Sequence, residues 1–200
     1  MTKKEEWLAG TRSAVPIMLG YVPVGIAYGV MARQAGLNTW QTVLMSLTVY
    51  GGASEMMAAG MVAQGAAVLT IVLTTFILNL RHIIMSTCVF NQMQRGRVPV
   101  RMLAAFGVTD ETFAVYTTTA NAPRTPRYFF SMALCSYLSW ALGSWLGAIA
   151  TGLLPPLITA ALGISLYAMF IGLLMPGLHG NGRLAALVVL TALCNTVLCN

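Results

Sequence analysis

Long apolar runs alternate with short polar stretches along the whole chain. The apolar runs cover residues 14–31, 40–60, 65–90, 102–119, 128–154, 157–175 and 184–198. An α-helix rises about 1.5 Å per residue, so a run of roughly 20 apolar residues can cross the hydrocarbon core of a bilayer. The last run is marginal in length. The pattern therefore predicts an all-α fold, a polytopic membrane helix bundle of about six or seven transmembrane spans.

Polar residues interrupt three of these runs, and proline interrupts another. The first run contains Pro16 and Pro23, which predict a kinked span after a charged lead at residues 1–12. The interruptions of the second, third and fourth runs are Gly51-Gly52-Ala53-Ser54-Glu55, then Arg81-His82, then Asp110-Glu111. An ionised carboxylate at mid-bilayer costs roughly 2.5–3.5 kcal/mol, so these groups need partners, a water-filled cavity or a proton.

The composition excludes an ordinary soluble globular protein. The chain is 58% hydrophobic and 8% charged, whereas soluble domains carry about 25% charged residues. Its net charge of +6 is spread in single residues and pairs between apolar runs, which favours topology signals over a nucleic-acid surface. These signals leave the orientation open. They also leave open whether 102–119 spans the membrane or is re-entrant.

Neither a metal centre nor an enzyme motif is predicted. The chain has four cysteines, namely Cys88, Cys135, Cys194 and Cys199, with no C-x-x-C pair, and we expect free buried thiols and no cofactor. Ser54 and His82 could suit an intramembrane hydrolase, but the Ser54 segment lacks the glycine of the serine hydrolase motif. His-Glu-x-x-His and Walker motifs are missing too, so we expect no enzymatic activity.

The segment from Gly51 to Ser54 has the residues needed to stop a helix and restart it. We predict Ser54 as the N-cap of the second half. A helix that begins inside the membrane presents free N–H groups and a positive dipole end, which suit a substrate carboxylate. The alternative is that the small residues only allow close helix packing. Glu55 beside the glycines favours a binding site.

The Arg81-His82 pair is a candidate counter-charge for Asp110 or Glu111, and His82 could carry a proton. Asp110 and Glu111 project about 100° apart on a helix, so we expect one to face the transport pathway and the other a partner such as Arg81. The alternatives are a purely structural ion pair and an Arg81 side chain that extends to the interface. We interpret Tyr137, Trp140 and Trp145 as packing residues.

A shift of 87 residues pairs similar residues in the two parts of the chain. The pairs include Gly20 with Gly107, Tyr50 with Tyr137, Gly60 with Gly147 and Gly65 with Gly152. This favours two inverted units of three spans, at 12–90 and 100–176, within one transmembrane domain covering 1–200. Such units place Pro23 opposite Asp110. Glycine- and alanine-rich helices also match by chance, so both interpretations stay open.

The chain resembles the AzlC-type branched-chain amino acid permease family. The resemblance lies in Gly20-Tyr21-Val22-Pro23-Val24-Gly25, Tyr50-Gly51-Gly52-Ala53-Ser54-Glu55, Leu80-Arg81-His82 and Phe106-Gly107-Val108-Thr109-Asp110-Glu111. It implies the larger subunit of a two-component exporter in the bacterial inner membrane, acting with a small hydrophobic AzlD-type partner and driven by protons. The family usually has Gln at the position of Glu55. Its members also usually extend further, so we expect a chain truncated at its C-terminus.

Together these features predict a multi-pass exporter of branched-chain amino acids in the lipid bilayer. The predicted substrate site comprises Pro23, the Gly51–Glu55 segment, Asp110 and Glu111, with Val49, Met56 and Met57 beside the branched side chain. Charge coupling is assigned to Arg81, His82, Asp110 and Glu111. Two alternatives are an exporter of another small apolar zwitterion such as methionine, and a membrane scaffold that transports nothing.

Overall fold

The computed structural model describes residues 2–93, 98–120, 122–153 and 182–198, with positions 155, 157, 158, 161, 164, 171, 175 and 178. All regular secondary structure in this part of the chain is helical, which confirms the all-α prediction. The chain divides into two compact units, Met1–Leu166 and Tyr167–Asn200. Most of the predicted span 157–175 lies outside the described residues.

Helix α1 covers Lys3–Gln34 and is longer than predicted. It starts at a capping box, in which the Glu5 amide donates to the Thr2 hydroxyl and the Thr2 amide donates 2.9 Å to the Glu5 carboxylate. The expected lead at 1–12 is therefore largely helical, because this cap satisfies the first free amides. Pro16 and Pro23 lie within the same continuous helix.

The second apolar run is broken where the sequence predicts, and the third is almost continuous. Helices α2 and α3 cover Thr39–Val49 and Gly52–Ala63. Helices α4 and α5 cover Val68–Asn79 and Arg81–Gln92 and form one apolar stretch of 25 residues. That stretch, α1 and the later Pro126–Ala150 are the three described helices long and apolar enough to cross a membrane.

The fourth run is two short helices, α6 at Val98–Phe106 and α7 at Asp110–Thr118. The interruption at Gly107 places both carboxylates in the first turn of a helix instead of mid-helix. Helix α8 covers Pro126–Ala150, with Thr125 as its N-cap. In the second unit, helix α9 covers Gly182–Leu198.

The core of the first unit is the crossing of α1 and α8. Glycines four residues apart face each other there, Gly25 and Gly29 on α1 and Gly143 and Gly147 on α8. A Cβ on Gly25 would lie 3.0 Å from the Trp140 carbonyl oxygen, and one on Gly143 would lie 2.7 Å from the Val22 carbonyl oxygen. The two backbones touch at this crossing, as small-residue seams allow in membrane helices.

The helix bounds agree with the shift of 87 residues. The broken span Thr39–Ala63 and the unbroken α8, Pro126–Ala150, have the same length and bounds that differ by this shift. The same shift places the broken pair α6 and α7 over residues 11–31 of the unbroken α1, whose own bounds extend further at both ends. The agreement favours the repeat, which stays a prediction because most of its sixth span is outside the described residues.

Candidate functional site

The break between α2 and α3 depends on two residues. Tyr50 has a left-handed backbone, with φ 47° and ψ 52°, which a non-glycine residue rarely adopts. Gly51 is extended and is the N-cap of α3. The prediction that Ser54 is the N-cap is therefore wrong, because the chain turns three residues earlier. Its hydroxyl donates 2.9 Å to the Gly51 carbonyl oxygen.

Glu55 is fully buried one turn into α3. The Gly51 amide donates to its Oε1 at 2.9 Å. The Trp140 indole N–H of α8 points at both carboxylate oxygens, at 3.2 and 3.3 Å. The amide that the sequence offers to a substrate carboxylate is therefore already bound by the chain's own carboxylate. Trp140, interpreted from sequence as packing alone, is also a hydrogen-bond donor.

The first turn of α7 contains a second buried carboxylate, that of Glu111. Thr109 caps the helix, since its hydroxyl accepts from the Thr112 amide and its own amide donates 2.8 Å to the Thr112 hydroxyl. Tyr21 of α1 donates 2.6 Å to Glu111, and its oxygen lies 2.7 Å from the Thr109 hydroxyl. Tyr21 has one hydroxyl proton, so Thr109 must be the donor of the second bond.

Asp110 diverges from Glu111, as the helix geometry predicts. Its carboxylate accepts from Arg81 at the start of α5, with a distance of 2.9 Å between Nη2 and Oδ2. The predicted ion pair is confirmed. Both side chains are partly buried, with exposures of 35% for Arg81 and 27% for Asp110. The pair ties the start of α5 to the start of α7.

Several buried polar atoms near the start of α5 have no hydrogen-bond partner within the described part of the chain. They are Asn79 Oδ1, Arg81 Nε and His82 Nε2. Asn79 lies close to the α2–α3 break, since its Oδ1 is 3.4 Å from where a Cβ on Gly51 would stand. The starts of α3, α5 and α7 are thus linked by Asn79 and by the Arg81–Asp110 pair.

An aromatic cluster joins the two buried carboxylates. Tyr21 meets Trp140 edge to face, with ring centroids 5.3 Å apart, and Tyr28 stacks on Trp140 at 6.0 Å. Tyr50 packs against Tyr137 at 4.9 Å and against Phe106 at 5.9 Å, measured between ring centroids.

A mainly apolar cavity of about 210 Å³ borders the Phe106 and Tyr137 rings. Its lining residues are Leu103, Phe106, Gly107, Phe130, Ala133, Leu134 and Tyr137.

Most of the predicted site residues lie at the starts of α3, α5 and α7, but Pro23 does not join them. It is exposed on α1, so the structure gives it no place in the cluster. The sequence interpretation missed five contributors: Tyr21, Tyr50, Asn79, Thr109 and Trp140. The available signals were a tyrosine and an asparagine inside apolar runs and an indole N–H that must find a partner when buried.

The three described cysteines are free thiols, and within the described part of the chain they do not form a metal centre. Cys88 and Cys135 are half-buried and Cys194 is exposed, so the expectation of burial is wrong for Cys194. Cys199 is outside the described residues, as is His179. Within the described part of the chain, no three His, Cys, Asp or Glu side chains come together as metal ligands.

Thr109→Ala should lower the free energy of unfolding by about 1 kcal/mol, the usual effect of losing a threonine N-cap. It also removes the hydroxyl beside Tyr21. Denaturant titration of the purified protein in detergent would measure the change. Thr109→Ser retains the hydroxyl and should unfold like the native protein. Equal stability of all three proteins would show that this cap contributes nothing.

Comparison with known proteins agrees with the sequence resemblance. A family model described as "AzlC: AzlC protein" matches residues 16–154. No solved structure matches the chain. The relatives that match are named as membrane or transport proteins.

Three relatives illustrate the range. An uncharacterized membrane protein of Archaeoglobus fulgidus is 33% identical over 188 residues, covering 93% of this chain and 82% of its own. The inner membrane protein YgaZ of Escherichia coli is 31% identical over 176 residues, which cover 84% of this chain and 72% of YgaZ. The branched-chain amino acid transport protein AzlC of Bacillus subtilis is 28% identical over 156 residues, which cover 74% of this chain and 61% of the relative.

Proposed function

The chain belongs to the AzlC family, and from this premise we propose that it is the larger subunit of a secondary exporter of branched-chain amino acids in the bacterial inner membrane. The name of the Bacillus subtilis relative supports the substrate class, and that of the Escherichia coli relative supports the location. The observation that carries the proposal is the meeting of helix starts with buried carboxylates inside apolar runs, a usual arrangement at transporter midplanes.

The site offers separate groups for substrate and for coupling. Glu55 is at the α3 start and Glu111 at the α7 start, and each accepts from an aromatic donor on an unbroken helix, Trp140 or Tyr21. We assign proton coupling to Glu111, because a carboxylate bound by one tyrosine hydroxyl can exchange its proton without breaking an ion pair. Arg81 and Asp110 neutralise each other beside it.

The cavity of about 210 Å³ next to Phe106 and Tyr137 is the proposed place for a branched apolar side chain. Its lining is mainly apolar, as a valine or leucine side chain requires. Val49, Met56 and Met57, which the sequence offers for the same role, flank the α2–α3 break. The family resemblance implies a small hydrophobic AzlD-type partner, and we propose that the exporter is the complex of the two proteins.

Transport in inside-out vesicles tests the proposal. Vesicles with this chain and the partner should take up labelled valine, leucine and isoleucine when a proton gradient is imposed, and vesicles with either protein alone should not. Glu111→Gln should lower the rate about tenfold or more, because an amide can still accept from Tyr21 but cannot take up and release the coupled proton. Glu5→Gln, a matched change in the exposed cap of α1, should leave the rate unchanged.

The outcomes separate the alternatives. Competition by methionine that exceeds competition by valine would assign another apolar zwitterion. Absence of flux for every amino acid tested, together with partner assembly that depends on the carboxylates, would indicate a scaffold and overturn the proposal.

A further inference from the structure

Glu55 is a buried carboxyl group with no cationic partner among the described residues. Its hydrogen bonds at 2.9–3.3 Å come from the Gly51 amide and the Trp140 indole, and together they reach both carboxylate oxygens. Among the described residues no Lys, Arg or His forms an ion pair with it. Buried carboxylates are normally paired, so this one lacks a positive partner.

Another acceptor lies at the same place. Asn79 Oδ1 is buried beside Gly51 and has no donor among the described residues. Tyr28 and Tyr21 bring aromatic rings against Trp140 beside the carboxylate. Acceptor oxygens, a carboxylate and aromatic rings are the groups that bind an organic cation.

We propose that the start of α3 binds the ammonium group of the amino acid substrate, with Glu55 as its counter-charge. This inference rests on the proposed function and reverses the polarity that the sequence predicts for this helix start. A substrate carboxylate is disfavoured there because the Gly51 amide is occupied and Glu55 would repel a second negative charge. The ammonium group instead supplies the missing positive partner.

Glu55 is fully buried in this conformation, so a ligand reaches it only after a neighbour moves. Tyr50 is the neighbour that we expect to move. It precedes Gly51, has the left-handed backbone and packs on the two rings that line the apolar cavity. Movement of Tyr50 would connect the ammonium site to the proposed side-chain cavity.

Two fragments of valine distinguish the orientations. Isobutylamine keeps the ammonium group and loses the carboxylate, whereas isovalerate keeps the carboxylate and loses the ammonium group. In vesicles that carry the native chain and the partner, isobutylamine should compete with labelled valine. Glu55→Gln should raise its half-inhibitory concentration about tenfold or more, as loss of a buried ionic partner does. The change for isovalerate should be less than about twofold, and Glu5→Gln should shift neither.

A binding measurement works even when valine is not carried. Isobutylamine, and not isovalerate, should raise the thermal unfolding temperature of the purified complex, and Glu55→Gln should remove the increase. Stabilisation by isovalerate alone, or equal effects of the amine on the native and Glu55→Gln complexes, would overturn the inference. A Glu55→Gln variant whose valine KM is unchanged, but whose dependence on sodium or pH is altered, would assign Glu55 to a coupling ion instead. Absence of valine flux with retained amine binding would instead contradict the transport proposal.

Discussion

Gly29→Ala is expected to destabilise the protein by about 3 kcal/mol, the upper end of the usual cost of inserting one methyl group into a packed core. The new Cβ would overlap the carbonyl oxygen of Ser144 and lie 2.7 Å from the amide nitrogen of Ala148. Both are backbone atoms of α8, so no side-chain rotation relieves the overlap. The α1–α8 crossing must separate. Denaturant unfolding of the purified protein in detergent measures the loss.

Gly60→Ala is the matched control, since it adds the same methyl group to a glycine within a helix. No described atom lies within 4 Å of the place where its Cβ would stand, so the change should be neutral or stabilise by up to about 1 kcal/mol through the better helix propensity of alanine. Two variants of equal stability would mean that the crossing is looser than the structure shows. A destabilised Gly29→Ala beside a normal Gly60→Ala would establish the seam as the core of the first unit.

The polar interruptions of the apolar runs could be predicted because their signal is local. Glycines beside a carboxylate, or an arginine in an apolar run, stand out against the membrane's cost for polar groups. The break at Gly51 and the Arg81–Asp110 pair followed from that reasoning. The break at Gly107 did not, because glycine alone is ambiguous in membrane helices. Gly143 lies in the unbroken α8.

The donors to the two buried carboxylates could not be predicted from local patterns. Trp140 and Glu55 are 85 positions apart, and Tyr21 and Glu111 are 90 apart. Only the packing of α8 against the start of α3, and of α1 against the start of α7, places these pairs within hydrogen-bond distance. The position of the α3 cap was also missed, because a left-handed Tyr50 is not a choice that residue propensities favour.

The two carboxylates have the same architectural position. Glu55 and Glu111 each lie in the first turns of a helix that restarts inside a broken span, where the helix dipole favours negative charge. Each accepts from an aromatic side chain of an unbroken helix, and the two aromatic rings touch. Displacement of α1 against α8 would therefore alter both carboxylates together. That coupling is the property that the proposed exporter needs between its proposed substrate and proton sites.

Charge reversal at either end of the Arg81–Asp110 pair is expected to reduce the proposed valine transport more than about tenfold, because it leaves like charges in contact inside the membrane. Arg81→Asp places a third carboxylate beside Asp110 and Glu111. Asp110→Arg places a second guanidinium beside Arg81 and a positive group at the positive end of α7. The double variant restores the opposite charges and should recover much of the rate. Recovery stays incomplete because the arginine opposes the α7 dipole.

Transport rates in vesicles, normalised to the amount of folded protein, give the coupling energy of the pair as a double-mutant cycle. The pair between Arg127 and Glu6 is the control, with a separation of 3.6 Å and exposures of 54% for Arg127 and 13% for Glu6. This pair joins the starts of α1 and α8 and includes none of the site residues, and ion pairs of this partly exposed kind contribute about 0–1 kcal/mol, so Arg127→Glu should change the rate per folded protein less than about twofold. A double variant as slow as the product of the single effects would mean that the two charges act independently. Substantial recovery would show that the link between α5 and α7 depends on opposite charge and not on which helix carries it.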